Sequence, residues 1–173
     1  LNELRRNAIQ LLEENLYGRQ KRIVSEQIRY STVENTAPAE KTLKFLVSCE
    51  TRAQAAALCK NPEISGLYVY YDALKELINS GIYKEKELYL SLPYITRGSA
   101  PKGLFDTCRL WLSEGKLKGF LVRNLESYGM LKELGWQKHC ILDASMYTWN
   151  DEAIHFWKNQ KILRNTVPLE LNE

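Results

Sequence analysis

An α/β domain built on a parallel sheet is the fold class this chain predicts, and three observations carry it. Short apolar runs recur at intervals of roughly 20 to 30 residues, a helix-like segment stands between successive runs, and glycines or capping residues mark most of the changes. The run Lys118–Asn124, KGFLVRN, shows the unit most clearly. A helical pattern closed by Gly115 precedes it, and LESYGMLKELG, closed by Gly135, follows it.

In chain order, Leu1–Tyr17 places Leu4, Ala8, Leu11 and Leu12 at helical spacing and is expected to stop at Gly18, an amphipathic helix in need of a partner surface. Residues 18–41 lose periodicity and are broken by Pro38, so they read as a linker or extended arm. From residue 42 onward the β/α rhythm holds. LKFLVS is the first strand, followed by a helix from Thr51 as cap to Cys59. GLYVYY is the second, with Asp72 expected to cap a helix that ends at Gly81. ELYLSLP is the third, and Pro101 opens the next helix. KGFLVRN is the fourth and HCILDAS the fifth, before a helix capped by Asn150. The stretch KILRNTVPLELN supplies a sixth strand. Helices between such strands demand parallel pairing with crossovers of one hand. A closed barrel of this kind needs eight strands and about 250 residues. At 173 residues the expectation is therefore a partial TIM-barrel-like (β/α) domain of about six parallel strands. The chain begins without methionine inside a helical pattern, and is read as a fragment of a longer protein.

Composition bounds function only loosely. With 45% hydrophobic and 26% charged residues the chain is an ordinary globular one, and a formal charge of +3 is too small to imply nucleic acid by itself. No apolar run approaches the roughly 20 residues that cross a bilayer, so a cytoplasmic protein without membrane attachment is expected. The four cysteines, Cys49, Cys59, Cys108 and Cys140, have no metal spacing and read mainly as buried thiols. No HExxH, GxSxG or GxxxxGK[ST] occurs. A Cys49–His155 nucleophile pair would require an unusual approach of helix to strand end.

Chemistry in parallel β/α folds sits at the carboxyl ends of strands. Those ends offer Ser48, Glu50, Tyr71, Asp72, Tyr94, Arg97, Arg123, Asn124, Asp143, Ser145, Tyr147 and Glu170. Arg97 and Arg123 can receive a carboxylate or phosphate, and Asp143 or Glu170 can orient them or act as a base. The structural alternative is that Asp72 and Glu50 serve helix starts, while Arg123 and Asp143 form an ion pair at the mouth.

In order, LNELRRNAIQLLEE, LVSCETRAQAAAL, GLYVYYDALKE, ELYLSLPYITRG, KGFLVRNLESYGMLKELG, DASMYTWNDEAIHFW and PLELN resemble the pattern of the collagenase-like peptidase family of unassigned catalytic type. The resemblance covers nearly the whole chain and implies a bacterial peptidase, with a barrel-type segment after an inserted domain. On the peptidase reading Arg123, Asp143 and Glu170 are expected at the catalytic site, and the strand-end residues Arg97, Asn124, Ser145 and Tyr147 are expected to bind substrate. Some relatives instead hydroxylate RNA bases or act in quinone biosynthesis, holding an iron–sulfur cluster through cysteines that follow a SPEL-like segment. The alternative it implies is a scaffold and pocket part of such an RNA-modifying enzyme. The cluster would then be a cofactor of the full-length parent, with no cofactor and no metal in this fragment, and other parent domains would be its partners. A noncatalytic interaction domain is the third reading. The chain departs from the family pattern at Tyr147 and at Pro168-Leu169, and still matches at Arg123, Asn124, Asp143, Asn150 and Glu170.

Overall fold

The computed structural model describes residues 2–20, 43–83, 85–96, 103–162 and 164–170. The chain divides into two units, Leu1–Ala37 and Pro38–Glu173. In the first, α1 (Asn2–Gln20) runs through Gly18 rather than stopping there. Most of the expected linker, and Pro101, lie outside the described residues.

The second unit alternates strictly: β1 (Phe45–Cys49), α2 (Arg52–Cys59), β2 (Ile64–Val69), α3 (Tyr71–Ser80), β3 (Glu87–Ser91), α4 (Leu104–Ser113), β4 (Gly119–Val122), α5 (Leu125–Glu133), β5 (Cys140–Leu142) and α6 (Asp151–Asn159). All neighbouring strands pair in parallel, in the order β1-β2-β3-β4-β5. Local chemistry sets the boundaries. Thr51 and Gln54 form a reciprocal capping box at α2, and the Asn124 and Asn150 side chains accept from Ser127 N and Ala153 N at the starts of α5 and α6. Gly81 ends α3 in the left-handed conformation that glycine adopts without a Cβ clash. Asp72 does not cap α3. The helix begins two residues earlier than that cap implies, after Tyr70, and places Asp72 in its positive first turn.

Side-chain alternation divides the sheet. Leu67, Val69, Leu88, Leu90, Phe120 and Leu142 join Leu74 and Leu77 of α3, Cys108 and Trp111 of α4, Leu131 of α5 and Trp157 of α6 in one large core. Tyr89, Leu121 and Ile141 point the other way, with Leu46 and Tyr68 packed on them, in a cluster that contains no helix residue. The helices therefore cover one face.

Among the described residues, the expected sixth strand is represented by one parallel bridge between Leu142 and Asn165, flanked by Leu142 N donating to Arg164 O and Thr166 N to Leu142 O. Lys161 turns at φ 67, and Pro168 has no N–H to offer, so little backbone remains to pair. Even so, the segment reaches across the helix-free face. The Arg164 Nη1 donates to Tyr89 OH of β3 at 3.0 Å, and Lys44 before β1 pairs with Glu87 at the start of β3 at 2.8 Å.

Close packing of β4 on β5 yields a paired prediction. A Cβ at Gly119 would run into the backbone carbonyl of His139, whereas one at Gly129 on α5 meets nothing within 4 Å. Gly119→Ala is expected to cost on the order of 2 kcal/mol by forcing the strands apart. Gly129→Ala is expected to add up to about 1 kcal/mol through helix propensity. Urea unfolding of the two variants beside the parent checks both signs.

Candidate functional site

The register carries the site. Val122 pairs with Leu142, so the next residues, Arg123 and Asp143, emerge side by side at the carboxyl edge, fixed by Asp143 N donating to Val122 O at 2.8 Å. The Arg123 Nε donates to Asp143 Oδ2 at 2.7 Å, and Nη1 donates to Tyr70 OH at 2.7 Å and to Leu92 O at 3.5 Å. The rings of Tyr94 and Tyr70 lie 4.3 and 5.4 Å from the guanidinium carbon. Only 6% of Arg123 is exposed. Burial works against its charge, but the Asp143 hydrogen bond and the two tyrosines outweigh that loss, and its pKa is raised. Asp143 is equally committed, since its Oδ1 accepts from Ala144 N at 2.8 Å.

Beside this pair opens a cavity of about 340 Å³, lined by Tyr94, Asp143, Ser145, Tyr147, Thr166 and Glu170. Three of the expected catalytic and binding residues thus sit with Asp143 around one space. The Ser145 Oγ donates to Arg123 O at 3.0 Å, which ties the loop after β5 to the end of β4. Tyr147 holds a left-handed backbone, φ 49 and ψ 61, a conformation that costs a bulky side chain on the order of 1 kcal/mol. Its ring stacks on Trp149 at 6.2 Å.

Asn124 has a different place. It caps α5, and its Nδ2 donates to Pro93 O at 2.8 Å and Tyr94 O at 3.3 Å, so it holds the loop after β3 and does not line the cavity. Arg97 lies outside the described residues. Tyr70 is the residue that sequence reasoning passed over, because a second strand drawn through Tyr71 hides it among core aromatics. The signal was its parity with Tyr68, which puts it on the face of Arg123. A smaller cavity of about 60 Å³ among Leu92, Leu104, Phe105 and Met130 is apolar and too tight for more than a small group.

The thiols are unsuited to nucleophilic work. Cys49 donates to Tyr68 O at 3.6 Å, and burial pushes its pKa to about 11; the same cause takes Cys108 and Cys140 to about 12. Cys59 is half-buried and also raised by burial. The thiols of Cys49, Cys108 and Cys140 lie in the helix-side core. Among the described residues no group of three or more His, Cys, Asp or Glu could hold a metal ion, and no helix is long and apolar enough to cross a membrane. His139 lies at the opposite edge of the sheet, with Nδ1 3.3 Å from Lys118 O.

The class these features define is a parallel α/β domain with a strand-end cavity beside a buried ion pair. No family model matches the chain, and neither a curated protein nor a solved structure matches it.

Asp143→Ala strands a buried guanidinium and is expected to cost about 3–5 kcal/mol, while replacing both partners by apolar residues costs far less than the two single changes combined. A double-mutant cycle through Arg123→Met and Asp143→Leu, read by denaturant midpoint, tests this; additive losses would mean that the pair is not coupled.

Proposed function

We propose that this chain is a barrel-type, peptide-binding domain of a peptidase resembling the collagenase-like family, with its substrate held at the strand-end cavity. The observation that carries the reading is the cavity itself, which lies beside the Arg123–Asp143 pair on the edge where parallel β/α folds place their ligands. Sequential strand order with helices on one face, and side chains that reach β3 from Lys44 just before β1 and from Arg164 of the sixth segment, support a curled, barrel-like sheet over a flat one.

Peptide is favoured over RNA by charge. Asp143 and Glu170 line the space, and among the described residues the adjacent Arg123 is neutralised by Asp143, so this lining favours a peptide over a phosphate backbone. In this reading Arg123 fixes Asp143 and the loop after β3, Ser145 and Tyr147 meet the substrate, and Glu170 is the carboxylate left over for binding or proton transfer. The raised thiols and the position of His139 favour a substrate-holding role over covalent catalysis for these residues.

The test is binding and cleavage of gelatin-derived peptides by the full chain, beside single-stranded RNA, over roughly 50 to 300 mM salt. Peptide binding with a shallow salt slope, weakened several-fold by Arg123→Lys, is expected. RNA binding that falls steeply with salt, without any peptide binding, would overturn the reading in favour of the RNA-modifying alternative.

A further inference from the structure

The lining of the mouth cavity has an unbalanced charge and an aromatic rim. Arg123 and Asp143 neutralise one another at 2.7 Å, whereas the Glu170 carboxylate makes no ion pair or hydrogen bond among the described residues. Around it Tyr94 and Tyr147 are each 58% exposed, and Trp149 behind Tyr147 is 44% exposed, so three aromatic rings stay in water when burial would stabilise them. Tyr94 already receives one guanidinium against its ring at 4.3 Å. Tyr147 keeps its place despite a left-handed backbone that glycine would adopt more easily. Ser145 and Thr166 add hydroxyl oxygens to the wall.

Among the described residues, the lining carries one carboxylate in excess, two tyrosines and two hydroxyls beside Ala144 and Leu169, and such a space is complementary to an organic cation with an apolar stem. We infer that this cavity is a specificity pocket for a basic side chain, the guanidinium of arginine or the ammonium of lysine, in a peptide substrate. The inference rests on the peptide-binding reading and adds its side-chain preference. Glu170 is the charge partner, Tyr94 and Tyr147 supply ring faces, and Ser145 and Thr166 accept hydrogen bonds from the cation. A volume of about 340 Å³ accommodates such a side chain.

Calorimetric titration of the full chain with acetyl-Gly-Arg-Gly-amide, its citrulline counterpart of nearly equal shape without charge, and butylguanidinium alone tests both levels. The arginine peptide is expected to bind about tenfold more tightly than the citrulline peptide. Glu170→Gln should abolish that difference. Tyr147→Gly should weaken arginine binding while keeping or raising the melting temperature, since it relieves the left-handed backbone. Equal affinity for the two peptides overturns the cation pocket and leaves peptide binding intact. Binding of butylguanidinium, lost in Glu170→Gln, with neither peptide bound, keeps the cation pocket and overturns the peptide reading. No binding of any of the three overturns both.

Discussion

Alternation along five short parallel strands constrains the rest of the second unit, because each strand must serve two environments with period two. One set of side chains, Leu67, Leu88, Phe120 and Leu142 among them, is taken up by the helices, and the other set has only its neighbours to pack against. That second face is filled by large residues leaning across strands. Tyr68 and Tyr89 meet at 5.4 Å, and Arg164 comes over the Tyr89 ring at 5.3 Å. The same parity continues past the last ladder bonds, so Tyr70, Arg123 and Asp143 inherit the helix-free face and meet at its carboxyl edge. The site is the sheet's alternation carried one or two residues further.

Seating a charge there is costly, and stability alone does not account for it. A buried ion pair seldom outperforms a well-packed apolar pair of the same volume, since two desolvation costs must be recovered from one attraction. Arg123 recovers part of its cost by bonding several elements together: Asp143 after β5, Tyr70 before α3 and Leu92 O after β3. Asn124 grips the same β3 exit loop through Pro93 and Tyr94 carbonyls while capping α5. Two consecutive residues thus hold one loop from opposite sides of the chain. The loop carries Tyr94, which forms both the cover of Arg123 and a wall of the cavity, so the ion pair gives the mouth a fixed shape.

Much of this was legible beforehand, for physical reasons that differ by element. Capping residues such as Thr51, Asn124 and Asn150 act within three residues of themselves, and local chemistry is readable from local sequence. Buried parallel strands appear as apolar runs, which gave KGFLVRN and HCILDAS their places. Ends of strands were harder. GLYVYY looks apolar to its last residue, yet the chain turns helical at Tyr71, because nothing local distinguishes a tyrosine in a strand from one opening a helix. The stretch after α6 reads as a strand by composition, but pairing depends on a partner edge and on free N–H groups, and among the described residues it makes one bridge. Arg123 and Asp143 were readable as candidates, whereas Tyr70 required the register, a property of two strands at once.

The carboxylates at the mouth are not equivalent, and this limits what chemistry they share. Asp143 spends one oxygen on Arg123 and the other on Ala144 N, so taking up a proton would strip a buried guanidinium of its partner. It is suited to fixing geometry and poorly suited to shuttling protons. Glu170 carries no such commitment among the described residues. On the proposed reading it holds a substrate cation, and its oxygens are then occupied by that charge-assisted contact. Orienting a basic side chain beside Tyr94 and Tyr147 and cleaving the chain are then separate tasks, and on the proposed reading the carboxylates of the mouth serve the first.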